Sequence, residues 1–140
     1  MKNIKTSYIL IGLAILIIGG FGWSRYLQSN DPNVASTGAF HWHPELTIYV
    51  KGEKQEIPQG IGLAGGHKPI HTHDDLPVIH MEFAGAAKKD ETTLGAFFRN
   101  WGKDFNSLGS NVTMTVNGKE NTEFENYEMK DSDKIELRYE

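Results

Sequence analysis

The histidines of this 140-residue chain are confined to one short part of it, residues 41–80. Four of the six lie between Gly66 and Glu82, and the other two form a His-x-His pair at His41 and His43. Alternate side chains of a β-strand point to the same face, about 6.5–7 Å apart along the strand, so such pairs can converge on one point. The spacing therefore predicts β-strands that bring several imidazoles together.

Three pairs of the form ligand-x-ligand make up the predicted metal site. They are His41 with His43, His71 with His73, and His80 with Glu82. Six donors exceed the four that a tetrahedral zinc ion needs. Zinc and copper both favour imidazole, so we expect copper(II) or zinc. Iron(II), bound by two histidines with Glu82 as the carboxylate, is the next option.

Three further residues near these pairs have less certain roles in the sequence. His67 lies in a glycine-rich loop, and we expect it to stay outside the site. Asp74 and Asp75 follow the second pair, where they either form a turn or orient an imidazole from outside the metal's own ligands.

Two other functions are consistent with the same residues. One is a small metalloenzyme, hydrolytic or oxygen-using, with three protein ligands, one open position and Glu82 or Asp74 as a base. No complete catalytic motif accompanies this possibility, so no catalytic residue is identified. The other is a metal-free binding module whose histidines are structural or respond to pH.

Composition excludes several classes of site. The chain has no cysteine, which rules out disulfides, thiolate zinc sites, iron–sulfur clusters and a cysteine nucleophile. Residues 31–140 hold all 18 acidic side chains and 11 of the 14 basic ones, a net charge of −7. Such a domain would repel phosphate, so nucleic acid is not an expected partner.

The beginning of the chain predicts a membrane anchor over residues 1–27. Tyr8–Trp23 carries no charge and would span about 24 Å as a helix. Lys2 and Lys5 precede it, so we expect a single-pass protein with its N-terminus in the cytoplasm and the rest outside. A cleaved signal peptide is the alternative, with small residues at 35–38 as the nearest cleavage region. No protein partner is indicated.

The rest of the chain divides into a predicted linker, residues 28–39, and a predicted extracytoplasmic domain, residues 40–140. The fold class expected for this domain is mainly β, with about seven short strands in β-hairpins and one amphipathic helix. Thr93 should cap the helix Leu94–Trp101, and Gly102 should end it. Predicted strands cover residues 42–50, 54–57, 69–73, 77–83, 111–116, 119–124 and 134–139. Loops are expected at 58–68 and 84–91.

Five motifs resemble those of a group of small, membrane-anchored prokaryotic proteins of uncharacterised function. The shared pattern is HxH at 41–43, IHTHD at 70–74, IHxE at 79–82, TLGxFFxxWG at 93–102 and VNGK at 116–119. The resemblance implies that the histidines and the aromatic helix belong to one module, and it implies no activity.

Shorter resemblances point to metal-binding families. Gly65 followed by His71-x-His73 is similar to the opening of the cupin metal motif, and His71–Asp75 is similar to the HxHxD motif of metallo-β-lactamases. Each covers only the first part of that family's motif. Histidine pairs on strands also resemble those of α-type carbonic anhydrases. The last segment, from VNGK to Asp133-Lys134-Ile135, resembles the end of a β-grasp domain.

Overall fold

The computed structural model describes residues 4–140, which form a mixed α/β structure with an apolar helix at its start. This range contains helices α1 (Ile4–Ser29) and α2 (Leu94–Trp101) and ten short strands, where the sequence predicted about seven. The strands are β1 (Val34–Ser36), β2 (Phe40–Trp42), β3 (Glu45–Val50), β4 (Glu53–Gln55), β5 (Ile70–His71), β6 (His80–Phe83), β7 (Ala87–Lys88), β8 (Val112–Val116), β9 (Lys119–Glu120) and β10 (Lys134–Tyr139).

Helix α1 is long and apolar enough to span a membrane or to serve as a signal sequence. Thr6–Ser29 is a stretch of 24 residues that contains an 18-residue window with a mean hydropathy of 1.8, and none of that window is buried. At 1.5 Å per residue the whole stretch is about 36 Å long, more than the roughly 30 Å of a bilayer's hydrocarbon core. The predicted anchor therefore corresponds to a helix that continues two residues past position 27.

The predicted linker, residues 28–39, is only partly a tether. Strand β1 lies inside it and pairs antiparallel with β7, with Val34 opposite Lys88 and Ser36 opposite Ala87. This pairing attaches residues 34–36 to β7, within the segment that the sequence predicted to be a tether as far as residue 39. Strand β7 in turn occupies part of the predicted loop at 84–91. Two-residue strands such as β7 carry too little alternation to be recognised from sequence.

The main sheet has five strands in the order β4-β3-β10-β8-β9. Strand β10 is central, parallel to β3 and antiparallel to β8. Its Ile135, Leu137 and Tyr139 are buried, as the period-2 alternation predicted. Asn117 and Gly118 both have positive φ, at 53° and 76°, which is the type I′ geometry expected of an Asn-Gly hairpin.

Helix α2 begins and ends where the sequence predicted. The Thr93 side chain accepts a hydrogen bond from the backbone N–H of Ala96 at 3.2 Å, and Gly102 ends the helix with a φ of 73°. Leu94, Phe97 and Phe98 form its buried stripe. The helix thus covers the core with its aromatic face, which fits core packing.

A small three-stranded sheet, in the order β2-β6-β5, carries the histidines. The sequence predicted one strand from Trp42 to Val50, but Pro44 separates β2 from β3 because proline lacks the N–H that a strand ladder needs. Around Pro44 the chain passes from the small sheet to the main one. Strands β5 and β9 are also shorter than predicted, at two residues each.

The glycine-rich loop at 58–68 is loop, as expected, and it packs against β5. The Gly60 N–H donates to the Thr72 carbonyl at 2.9 Å, and the Thr72 N–H donates to the Ile61 carbonyl at 3.1 Å. A Cβ on Gly62 would lie 2.5 Å from the Ile70 carbonyl oxygen and 3.2 Å from the His71 Cβ. The loop therefore needs glycine at 62 to approach the histidine strand so closely.

Gly62→Ala should destabilise the domain more than Gly60→Ala. Both positions have a positive φ, 77° and 81°, so both variants incur a backbone cost of about 1–2 kcal/mol. Only position 62 adds a collision with backbone, worth a further ~1–3 kcal/mol, because nothing lies within 4 Å of a Cβ at Gly60. Urea unfolding followed by tryptophan fluorescence measures the difference. Equal losses in the two variants would contradict the close approach.

Candidate metal centre

The register of the small sheet places the predicted ligands opposite one another. Strand β6 is central, with His80 opposite His71 on β5 and Glu82 opposite His41 on β2. Side chains directly opposite each other on antiparallel strands are about 4.5–5.5 Å apart at Cβ. On β6, Met81 and its alternate neighbours are buried, which leaves His80 and Glu82 on the other face. The alternation predicted from sequence is therefore what brings the ligand pairs together.

All six histidines lie in one continuous group of rings, which we call the histidine cluster. The ring centroids are 4.5 Å apart for His41 and His43, 5.0 Å for His43 and His80, 4.8 Å for His80 and His73, 4.8 Å for His73 and His71, and 4.3 Å for His71 and His67. The expectation that His67 stays outside the site does not fit this geometry. Its loop position concealed this role, because the loop folds back over β5.

His71 is the most buried member of the cluster, with 0% of its surface exposed. Its Nδ1 lies 3.0 Å from the Lys68 carbonyl oxygen. A carbonyl only accepts hydrogen bonds, so Nδ1 must carry the proton, and Nε2 of the neutral ring then has a free lone pair. Among residues 4–140, the buried Nε2 finds no hydrogen-bond partner. Buried polar atoms are seldom left unpaired, so this nitrogen needs an explanation, and a metal ion would supply one.

The protonation of His71 also suits a metal ligand. Burial lowers the pKa of its imidazole, and neighbouring His67 and His73 act in the same direction. The hydrogen bond to Lys68 and the charge of Glu82 act against this lowering, and burial outweighs them. The ring is therefore neutral at neutral pH, which is the form that binds metals.

Carboxylates contact two other rings of the cluster. His80 Nε2 lies 3.0 and 3.1 Å from the two oxygens of Asp75, so this nitrogen donates and Nδ1 is left unprotonated in the neutral ring. His41 Nε2 lies 2.9 Å from Glu82 Oε1. Loss of solvent around Asp75 raises the pKa of its carboxyl, but the hydrogen bond and charge of His80 together outweigh this effect and hold that pKa below its usual value. Asp75 thus orients an imidazole, one of the two roles considered for it.

The strands around the cluster are held by two contacts that the sequence did not predict. Asp131 Oδ1 accepts a hydrogen bond from the His43 backbone N–H at 2.8 Å, across 88 positions of chain. Asn100 of α2 donates from its side chain to the Ile70 carbonyl at 2.9 Å, which fixes the aromatic helix to the histidine strand β5. No local sequence signal marks either residue, because both contacts depend on the tertiary fold.

Within the described range, residues 4–140, three groups of side chains have ligand atoms within 4.8 Å of one another, close enough to share a metal ion. They are His41, His43 and His80; His67, His71 and His73; and His71, His80 and Glu82. Every predicted metal ligand belongs to at least one group. Because exposed carboxylates commonly cluster without a metal, the imidazoles are the informative members.

Comparison of the chain with protein-family models, with curated protein sequences and with solved structures gave no match. The resemblance to small membrane-anchored prokaryotic proteins therefore stays a prediction.

The metal-free protein should lose stability as the pH falls below about 6.5. The unfolded chain takes up a proton on His71 near the ordinary imidazole pKa, whereas the folded chain does so only at lower pH. The contribution of His71 to the free energy of unfolding is therefore complete above about pH 6.5. It is lost as the pH falls towards the lower pKa that His71 has in the folded chain. Urea unfolding at pH 7.5 and 5.5 in a chelating buffer measures the loss.

The matched variants for this experiment are His71→Gln and His67→Gln. The first removes the buried titrating ring and should flatten the pH dependence, while the second removes an exposed ring of the same cluster and should retain most of it. Identical pH slopes for wild type and His71→Gln would contradict the assignment.

Proposed function

We propose that this protein is a membrane-tethered, extracytoplasmic metal-binding domain that carries, senses or buffers copper or zinc. The observation that carries the proposal is the unpartnered Nε2 of buried His71 within a cluster of six imidazoles. Leaving a polar atom buried without a partner costs about 1–3 kcal/mol, and a bound cation would offset that cost. The donors are nitrogen and oxygen without thiolate, a set that suits copper(II) and zinc.

The exposure of the cluster favours carriage or buffering. The side chain of His71 is 1% exposed, whereas those of His41 and Glu82 are 54% and 39% exposed. One side of the cluster is therefore fixed in the fold and the other faces solvent. Such a site can take up an ion from solution, or release it, without opening the domain.

The location outside the membrane rests on helix α1 and its flanking charges. Lys2 and Lys5 precede the apolar segment, which favours a cytoplasmic N-terminus by the positive-inside rule. We further propose that α1 stays attached as a single-pass anchor. Because residues 34–36 already pair with β7, the histidine cluster would be held close to the membrane surface.

We propose that the main sheet and α2 form a β-grasp-like unit, in line with the resemblance of its last segment. The supporting features are a first hairpin, then the helix, then a second hairpin and a final strand placed parallel to the first. Strands β5 and β6 of the small sheet then lie in an insertion between the hairpin β3–β4 and α2, whereas β2 precedes the hairpin. A metal site on this separate small sheet leaves the main sheet free to supply stability.

A metalloenzyme is the second candidate, and one observation favours it. His71, His80 and Glu82 form a group of two histidines and one carboxylate, the ligand type of non-haem iron(II) oxygenases. An open coordination position that binds water, seen by spectroscopy of the cobalt(II) form, would favour this candidate over a closed carrier site.

The detergent-solubilised full-length protein should bind Zn²⁺ or Cu²⁺ stoichiometrically and tightly. Calorimetric titration at pH 7.5, in a buffer that does not bind metals, measures the affinity. The variant His71→Ala/His73→Ala/His80→Ala should lose it, because these residues contribute to all three ligand groups. Absence of tight binding, or unchanged binding in the triple variant, would overturn the proposal. Metal-free protein after purification without an affinity tag would then favour a structural or pH-responsive cluster.

Asp75→Ala should weaken metal binding by about 10–100-fold, because the carboxylate orients His80 and fixes its tautomer. Asp74→Ala is the matched control: it removes the same charge one residue away, and within residues 4–140 this side chain makes no hydrogen bond or ion pair with the cluster. Competition against a chromogenic chelator gives both dissociation constants. A comparable loss in the two variants would show that only net charge matters.

A further inference from the structure

The ligands of the histidine cluster divide into two separate sets of three. His41, His43 and His80 form one set, which we call the outer triad, and His67, His71 and His73 form the other, which we call the inner triad. The two triads share no residue and together use all six imidazoles. In each triad the ligand atoms lie within 4.8 Å of one another, so each can surround an ion of its own.

Glu82 lies between the two triads. The same oxygen, Oε1, is 2.9 Å from Nε2 of His41 in the outer triad and 3.9 Å from Nε2 of His71 in the inner triad. The register explains this placement, because β6 is the central strand of the small sheet. Glu82 lies opposite His41 on β2, and its backbone N–H donates to the Pro69 carbonyl beside β5 at 2.7 Å. A carboxylate has two oxygens and can bind one cation with each.

We propose that the cluster binds two divalent cations, one in each triad, joined by Glu82 as a bridging carboxylate. The inference rests on the proposed metal-binding function and adds its stoichiometry. Three imidazoles and one carboxylate oxygen give each ion four donors, the number that a closed tetrahedral zinc site uses. A single ion would leave one triad as three packed imidazoles without a function.

Carboxylates lie beside the outer triad and between the two triads, where they would offset part of the repulsion between two cations. Two divalent ions repel each other, and protein sites with metals about 3.5–4 Å apart depend on anionic ligands between and around them. Glu82 lies between the triads, Asp75 contacts His80, and Asp131 binds the His43 backbone with Oδ1 4.0 Å from its Nδ1. Asp75 and Asp131 thus both lie at the outer triad, and Glu82 is the carboxylate near both triads.

Metal content tests the stoichiometry in the full-length protein in detergent. After saturation with Zn²⁺ and removal of free metal by gel filtration, mass spectrometry should find two zinc ions per chain. His41→Ala/His43→Ala should retain one ion in the inner triad, and His67→Ala/His73→Ala should retain one in the outer triad. His41, His43 and His67 are exposed and His73 is half-buried, and circular dichroism checks that each variant is folded.

The outcomes separate this inference from the proposed function. One ion per wild-type chain would overturn the two-ion site and leave metal binding intact, while no bound ion would overturn both. Loss of all metal in one double variant, with the fold intact, would also overturn two independent triads.

Electron paramagnetic resonance with Cu²⁺ tests whether the two ions are neighbours. The wild type with two equivalents of Cu²⁺ should show a half-field signal from coupled copper ions, which each double variant should lack. Glu82→Gln, which keeps the shape of the side chain but not its charge, should weaken the coupling or the binding of the second ion at least ~10-fold. Spectra of isolated copper only, in a wild type that holds two ions, would overturn the bridged arrangement.

Discussion

The hydrogen bond between His71 Nδ1 and the Lys68 carbonyl is the contact on which the candidate site depends. It decides which nitrogen of a fully buried imidazole carries the proton, and so which nitrogen offers a lone pair to the cluster. The carbonyl is held in place by the glycine-rich loop, where Lys68 N–H donates to the Gly62 carbonyl at 2.9 Å. A segment that reads as a plain connector in the sequence therefore determines the chemistry of the neighbouring strand.

The four residues of strand β6 contribute alternately to the hydrophobic core and to the histidine cluster. Met81 and Phe83 point into the core, and His80 and Glu82 point into the cluster. Because adjacent residues on a strand share one backbone, the close packing of Met81 and Phe83 in the core also fixes the backbone positions of His80 and Glu82. Such rigidity suits a site that must hold several rings at fixed separations, since ordering flexible side chains around an ion would cost conformational entropy.

Local patterns in the sequence predicted the parts of the fold that local interactions determine. The cap at Thr93, the stop at Gly102 and the Asn117-Gly118 hairpin are each specified by neighbouring residues, and each appears in the structure at the predicted position. Period-2 alternation also predicted that the His-x-His pairs lie on strands; His41 and His71 do, whereas His43 and His73 lie just beyond the ends of β2 and β5. Strands β1 and β7 were missed because strands of two or three residues are too short to show a period-2 alternation. His67 and Asp131 were missed because only tertiary folding brings them to the cluster.

The parallel pairing of β10 with β3 governs when the cluster can form. Four of the six histidines, at positions 67–80, lie between these two strands in the chain, and the pairing places Lys134 opposite Glu45 and Tyr139 opposite Val50. Contacts between residues so distant in sequence form late, because a long loop must close first. During biogenesis the six imidazoles are thus displayed on a still unfolded chain before the sheet is complete. Under the proposed metal-binding function, free metal would capture them there in non-native combinations, so correct maturation would require folding before metal loading.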